Sequence, residues 1–491
     1  MFLFGVAGGA PARWTSQYLA LISRVLDDHK LRICGFTAII DLMASEDAHV
    51  SASMLLAFRS ENVRSFRDAL ELSLLATALA KKGVPHEVPW RAGGRPIQVL
   101  PAVGVFGANA SGKSNLLRAI ADMRDLVLGS FRHADPSGGI RRTAFRLDPS
   151  RKGAPSRFEV DLVLHGIRHE YGFVIDDERV LEEWAYRYPR GKAALLFRRD
   201  GDAVTLGEHN RAKGRAVIEI LRPNSLLLSA AAAANHPDLL PLHQWFGQNL
   251  LLAEAGSRPY RWAFTAELLR REDRRAQVLA LLRAADLGIT DARVREPDPQ
   301  LVERLRRVIP ILQGREDDPE GTDSGSDLIE PNVVLSHRSA DADIDFDATE
   351  ESLGTLVWLG LAGPVVEALA HGNVLLVDEI EASLHPALVA QLIRLFQDQE
   401  SNSRGAQLIF NSHEATLLGD SSSERVLGRD QVWFTEKAHD GATMLYSLAD
   451  LSPRGDEAIG RRYLAGRYGA VPILAPEEFT DIATSGAGEN R

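Results

Sequence analysis

The 491-residue sequence holds a single cysteine, Cys34, so neither an intrachain disulfide framework nor a cysteine-rich metal site is available to it. That economy fits a reducing cytosol. No apolar run approaches the roughly 18 residues that a membrane helix needs. No basic segment precedes the apolar stretch from Met1 to Ala10, so neither a signal peptide nor a membrane partner is expected. Positive charge is not in excess either. The net charge of −11 excludes a protein that coats nucleic acid with its whole surface, and confines any DNA or RNA contact to a local patch. No internal repeat is visible. Apolar residues are not scarce: 45% hydrophobic and 25% charged is a globular balance, and the length suits two or three domain-sized units.

Residues 1–53 look unlike the rest. Gly8, Gly9 and Pro11 break their first apolar stretch, Tyr18, Leu19, Leu21, Ile22 and Leu26 fit one amphipathic helix, and nothing there carries chemistry. They are read as an N-terminal extension outside the main fold, of the kind a misassigned start site leaves. Strands are expected at Leu55–Phe58, at Leu70–Leu74 and over the apolar run Val99–Val105, with a Gly/Pro-punctuated loop from Gly83 to Gly94. From Arg157 to Arg199 the pattern has period two: Phe158, Val160, Leu162 and Leu164 alternate along one strand, and a His165-Gly166 turn leads to Tyr171, Phe173 and Ile175. This predicts antiparallel hairpins. From His236 to Ile309 the pattern is helical and charged, its arginines reading as a solvated face. Gly314–Glu330 reads as an acidic loop. An α/β pattern returns from Val333 to about Pro472, and the tail 476–491 is polar. The expected units are therefore 54–235, 236–332 as a helical insert, and 333–475.

Gly107-Ala108-Asn109-Ala110-Ser111-Gly112-Lys113-Ser114 fits G-x-x-x-x-G-K-[ST] in full. Glycines let consecutive backbone N–H groups curl around phosphates. Lys113 then reaches the β- and γ-phosphates of a nucleotide, and the Ser114 hydroxyl ligates Mg²⁺. The pattern alone arises by chance. A strand before it, and a helix after it marked by Leu116, Leu117, Ile120 and Met123, remove that reading. Val374-Leu375-Leu376-Val377 is an apolar run ending in Asp378-Glu379, and nucleotide sites in open α/β sheets lie at such strand ends. Asp378 is expected to hold Mg²⁺, directly or through water, and Glu379 to orient and deprotonate the attacking water.

Two further pieces are ambiguous alone. Ser352-x-Gly354-Thr355 opens a helical apolar series, which makes either a second anion site or a plain helix cap. Leu408-Ile409-Phe410 ends in Asn411-Ser412-His413, and a lone histidine there carries little weight. Their order decides. Phosphate loop, Ser-x-Gly-Thr, Asp-Glu strand and His strand follow one another as in ABC-type ATPases.

Over roughly Met54 to Leu474 the sequence resembles the AAA-type, ABC-related ATPases that include the AbiL and RloA types, relatives of SMC heads, Rad-type repair ATPases and the ATPase half of OLD nucleases. The marks are Glu61-Asn62-Val63-Arg64-Ser65-Phe66, Phe106 to Asn115, Glu351 to Thr355, Val377 to Pro386, Trp433 to Lys437 and Arg467 to Pro472. The resemblance implies an α/β P-loop NTPase of the ABC/SMC-head type, with an antiparallel β lobe and a helical insert, that binds ATP and Mg²⁺. Gly107 to Asn115 would hold the nucleotide. Ser352, Gly354 and Thr355 would form the signature reaching the partner subunit's γ-phosphate, and Glu381 to Leu384 the D-loop along the dimer seam. Lys113, Glu379 and the switch residue His413 would be catalytic, Ser114 and Asp378 would hold the metal, and Arg64 and Ser65 would approach the nucleotide. The sequence departs from the pattern in three respects. The signature is not LSGGQ, His385 replaces the usual Asp, and no glutamine stands between Ser114 and Arg157 to serve as a Q-loop.

The implied function is the ATPase and sensor of a bacterial anti-phage system. It would act as a homodimer or higher even oligomer on a separately encoded nuclease or toxin effector, with DNA or a phage protein as trigger. A chromosome or repair ATPase needs long coiled-coil arms, and Phe246–Ile309 is short and without sustained heptads. A transporter needs a membrane domain. A self-contained OLD nuclease needs a further acidic domain, and fewer than 80 residues follow His413.

Overall fold

The computed structural model describes residues 53–208, 211–254, 258–295, 300, 332–419, 425–455 and 457–472. The predicted extension up to residue 52, the acidic stretch Gly314–Glu330 and the tail 476–491 lie outside the described residues.

The apolar run Leu55–Phe58 lies within β1 (Met54–Glu61), which pairs antiparallel with β2 (Leu70–Ser73), Phe58 opposite Leu72. A short ribbon follows, β3 (His86–Val88) with β4 (Ile97–Val99). The run Val99–Val105 is thus not one strand. Pro101 has no N–H to give a ladder and a fixed φ, so the run breaks there, and β5 (Ala102–Phe106) starts afresh, buried throughout. Five strands then form an antiparallel meander: β6 (Ser156–Leu164), β7 (Ile167–Ile175), β8 (Val180–Arg187), β9 (Ala194–Asp200) and β10 (Ala203–Leu206). The β6–β7 turn has φ 51° at His165 and 73° at Gly166, the double left-handed geometry that matches strand twist in a two-residue hairpin. Glu183 of β8, fully buried, accepts from the N–H groups of Leu227 at 2.6 Å and Leu228 at 3.0 Å, which ties this sheet to the Leu227–Ala233 helix.

The stretch read as helical contains helices Leu240–Gln248, Arg258–Arg270 and Glu272–Ala284, but also two strands. These are β11 (Leu250–Ala253) and β12 (Ile289–Arg295). A four-residue apolar run cannot be told from a piece of buried helix by periodicity. Only its parallel pairing with a distant strand makes it β. β12 pairs with β13 (Asn332–His337), and β13 with β14 (Ile344–Asp347). The helix Leu353–His371 follows, then β15 (Val374–Val377), the helix Pro386–Gln397, β16 (Gln407–Ser412), β17 (Val432–Lys437) and β18 (Thr443–Ser447).

Two large sheets result. One is antiparallel, in the order β10-β9-β8-β7-β6-β1-β2. The other runs β11-β15-β16-β5-β17-β18, parallel except for β18. Gln407 joins them: its side chain exchanges hydrogen bonds with Leu55 N (2.7 Å) and Leu55 O (2.9 Å). This is the α/β P-loop architecture with an antiparallel lobe that the sequence predicts.

The Leu353–His371 helix is long and apolar enough to cross a membrane by length and composition, yet it is mostly buried inside the protein. Pro364 lies inside it and has no N–H to give Gly360 O, and the Arg258–Arg270 helix packs against the neighbouring turn. The Thr265 hydroxyl donates to Leu359 O at 2.9 Å and accepts from Gly363 N at 3.2 Å. The backbones come so close that a Cβ on Gly363 would lie 2.8 Å from Thr265 Cα. Thr265→Val keeps the shape and removes the inserted hydroxyl. It is expected to cost about 0.5–1.5 kcal/mol, the net contribution of a typical hydrogen bond. The check is a lowered urea midpoint with unchanged slope. An unchanged midpoint would show that the insertion stabilises nothing.

Candidate nucleotide site

The site lies where the parallel strands end. β5 delivers Gly107, β15 delivers Asp378 and Glu379, and β16 delivers Asn411 and His413. β16 sits between β5 and β15, with Asn411 opposite Val105 and Phe410 opposite Val377. A loop after one strand and carboxylates after another therefore face each other across the end of a third.

Gly112 precedes the Lys113–Gly129 helix with φ 110°, which L side chains rarely adopt. A Cβ there would come 2.3 Å from the Thr443 hydroxyl. The helix has no side-chain cap and no acidic residue in its first turn. Its leading N–H groups and positive dipole end are thus left for an anion. Both the glycine-lined cradle and the uncapped helix start fit a nucleotide's phosphates. The loop is braced from behind. Ser111 Oγ lies 2.7 Å from Thr435 Oγ1, and the Thr443 hydroxyl donates to Ser111 O at 2.9 Å. Ser65, predicted to approach the nucleotide, stands beside the loop through the same threonine, its hydroxyl 2.8 Å from Thr443 Oγ1.

Arg64 is elsewhere. Its guanidinium grips Asp122 with two bonds of 2.6 Å. Asp122 is eight residues past Ser114, about 12 Å along the helix axis. Asn62, in the same motif, organises the neighbouring segment: its amide donates to the carbonyls of Arg151, Ala154 and Pro155 and accepts from Phe145 N. The Thr143 carbonyl accepts from Arg64 N at 2.7 Å.

Lys113 is buried and folds back on its own loop, donating to Gly107 O at 2.7 Å and Ala108 O at 2.9 Å. Burial pulls the ammonium below its usual pKa, against the raising pull of Glu381, Glu379 and Asp378. Asn411 joins the halves of the site. Its amide nitrogen donates to Asp378 Oδ1 at 2.5 Å and to the Ser114 hydroxyl at 3.3 Å, and its amide oxygen accepts from Glu379 N at 2.5 Å. The two oxygens predicted to share a metal are thus bridged by one side chain, and Glu379 is held by it in a left-handed conformation, φ 53°. Glu379 itself is exposed, whereas Asp378 is buried. A hydroxyl and a carboxylate are the hard oxygen donors that suit Mg²⁺, which usually takes one or two protein ligands and completes its shell with phosphate and water. Sequence reasoning did not single out Asn411, Thr435 or Thr443. A polar residue closing a buried strand beside the predicted histidine was the available signal for the first.

His413 lies 2.7 Å from Glu381 through Nδ1, with most of its side chain exposed. Ser352 caps its helix: its hydroxyl accepts from Thr355 N at 3.2 Å and lies 2.9 Å from Thr355 Oγ1. Among the described residues no hydrogen bond joins 352–355 to the 107–115 loop. Gly354 instead faces the 381–384 turn, where an added Cβ would sit 2.7 Å from Ser383 O. The structure therefore gathers Lys113, Ser114, Asp378, Glu379 and His413 at one end of the parallel strands, and leaves Ser352, Gly354 and Thr355 as a separate helix start.

The chain is similar to three solved structures at low identity. The SMC head bound to the C-winged helix domain of ScpA has 13% identity over 81% of this chain and 99% of that chain, with a TM-score of 0.38. The SMC head domain from Thermotoga maritima has 12% identity over 80% and 98%, TM-score 0.35. The SMC head domain with an extended coiled coil, bound to the C-terminal domain of ScpA derived from Pyrococcus furiosus, has 14% identity over 82% and 98%, TM-score 0.34. No curated protein matches the chain. Residues 103–419 match the family described as "AAA domain, putative AbiEii toxin, Type IV TA system". That span runs from the phosphate-loop strand through His413 and covers nearly two thirds of the chain, which therefore belongs to this family of AAA domains.

Proposed function

We propose that the chain binds ATP with Mg²⁺ at Gly107–Asn115 and hydrolyses it, as the ATPase component of a cytoplasmic bacterial anti-phage system of the abortive-infection type. It acts as a homodimer or higher even oligomer and controls a separately encoded nuclease or toxin; DNA or a phage protein is the trigger. One observation carries the ATPase reading. The Asn411 amide holds the Ser114 hydroxyl and the Asp378 carboxylate together, so the two oxygens that a P-loop enzyme offers to its metal converge. Support for the defence role comes from the family description alone. A nuclease- or toxin-type reading frame beside the gene is the observation that favours it over a chromosome-associated role.

In this reading the uncapped helix start and the loop N–H groups hold the phosphates, and Lys113 leaves the Gly107 and Ala108 carbonyls to reach the β- and γ-oxygens. Ser114 and Asp378 would hold Mg²⁺, which neutralises charge on the same phosphates. Glu379, exposed and held at its backbone by Asn411, orients the attacking water and accepts its proton. His413 meets the terminal phosphate. Ser352, Gly354 and Thr355 serve the nucleotide of the second copy.

Binding is tested by thermal unfolding. At 100-fold excess over Kd, ATP with Mg²⁺ is expected to stabilise the wild type by about 2.7 kcal/mol, seen as a raised Tm. The shift should vanish in Lys113→Ala. An equal shift in that variant, or none in the wild type, overturns the site.

A further inference from the structure

Glu381 opens the 381–384 turn and reaches back to the end of β16. Its Oε1 accepts from the His413 backbone N–H at 2.9 Å and lies 2.7 Å from His413 Nδ1. A carboxylate oxygen accepts here, so Nδ1 carries the hydrogen, and Nε2 is the ring nitrogen left for a ligand. The burial is unequal: the Glu381 side chain is 8% exposed and that of His413 62%. Glu381 Oε2 is buried and has no hydrogen-bond partner, and the carboxylate's charge falls on Lys113. A buried carboxylate with one unpaired oxygen is costly to keep unless its second bond is made in another state of the molecule.

The same residue governs the turn. Leu384 N donates to Glu381 O at 2.9 Å, and Ser383 stands in the left-handed region at φ 61°. The Ser383 carbonyl fills the space where Gly354 would carry a side chain. A continuous path thus runs from His413 through Glu381 and Ser383 to the helix start at Ser352–Thr355.

We propose that Glu381 is a positioning residue: it fixes the His413 imidazole by holding Nδ1, which leaves Nε2 for the terminal phosphate. This rests on the ATPase reading for its kinetic consequence, but not for its geometry.

The test has two arms. In the first, ¹⁵N-histidine NMR is recorded on the full chain, with the His413 signal assigned among the 14 histidines by comparison with His413→Gln. The wild type gives a hydrogen fixed on Nδ1. Glu381→Ala loses it, and Glu381→Gln, whose amide oxygen still accepts, keeps it. In the second arm, Glu381→Ala lowers kcat by about 10–100-fold, the worth of one hydrogen bond to a charged group, with KM changed by less than about threefold. Glu381→Gln recovers to within about fivefold of wild type, because the accepting oxygen is retained. An unchanged Nδ1 signal in Glu381→Ala overturns the proposal. So does wild-type kcat in that variant, or a Glu381→Gln enzyme as slow as Glu381→Ala. A wild-type chain without turnover overturns the ATPase reading instead, and the NMR arm then decides the role of Glu381 alone.

Discussion

Glu379→Gln is expected to bind ATP as the wild type does and to lose about 10²–10⁴-fold in turnover, the contribution of one positioned acid–base group. The amide is nearly the same size as the carboxylate and is reached by the same backbone. Asn411 holds that backbone through the Glu379 N–H, a contact the substitution leaves intact. Phosphate-loop geometry is equally untouched, since Ser111, Thr435 and Thr443 brace it from the opposite side. What disappears is the ability to take a proton from water. The prediction is therefore specific: unchanged nucleotide-dependent Tm shift, collapsed phosphate release. The exposure of Glu379 beside buried Asp378 separates their expected effects. Loss of Asp378 would also release the Asn411 amide, disturbing binding as well as turnover. Glu379→Gln at the wild-type rate would remove the general-base assignment.

The loop 107–114 was legible because its chemistry demands a fixed spacing, and the Val374–Glu379 strand end because four apolar residues leading into two carboxylates have few other uses in an α/β chain. The meander from Phe158 to Ile175 was legible because Phe158, Val160 and Leu162 alternate with the charged Glu159 and Asp161, although these too are buried, paired with Arg59 and Arg168. What was not legible depends on distant partners. Leu250–Ala253 is a strand only because Val374–Val377 lies alongside. The break at Pro101 is written in the sequence, but a seven-residue apolar run overrode it in the reading. Asn411 acquires meaning only once β16 is inserted between β5 and β15. Thr443 becomes a brace only because β18 brings it behind Gly112, more than 300 residues away in the chain. Arg64 carries a charge that suits phosphate, yet Asp122 sits close enough to claim it with two hydrogen bonds, and no local pattern announces that competitor.

The second large effect concerns the helix start at Ser352. A phosphoryl transition state needs charge stabilised on more than one side. Within one chain, Lys113, Ser114, Asp378 and Glu379 would supply one side in the proposed reading. The Ser352–Thr355 start has the cap and the dipole to supply another, but it packs on Ser383 and makes no described hydrogen bond to the phosphate loop. In the proposed reading, a two-fold pair would resolve this by giving each helix start to the other copy's nucleotide through an isologous interface. The most direct test of a shared-site ATPase is therefore to mix two dead variants. Lys113→Ala and Ser352→Arg are each expected to be inactive as homodimers. A mixed pair carries both defects at one site and neither at the other. With equal amounts and random pairing, half the dimers are mixed and one of their two sites is intact, so phosphate release should return to about a quarter of the wild-type rate. A mixture that forms heterodimers yet releases no phosphate would contradict the shared site.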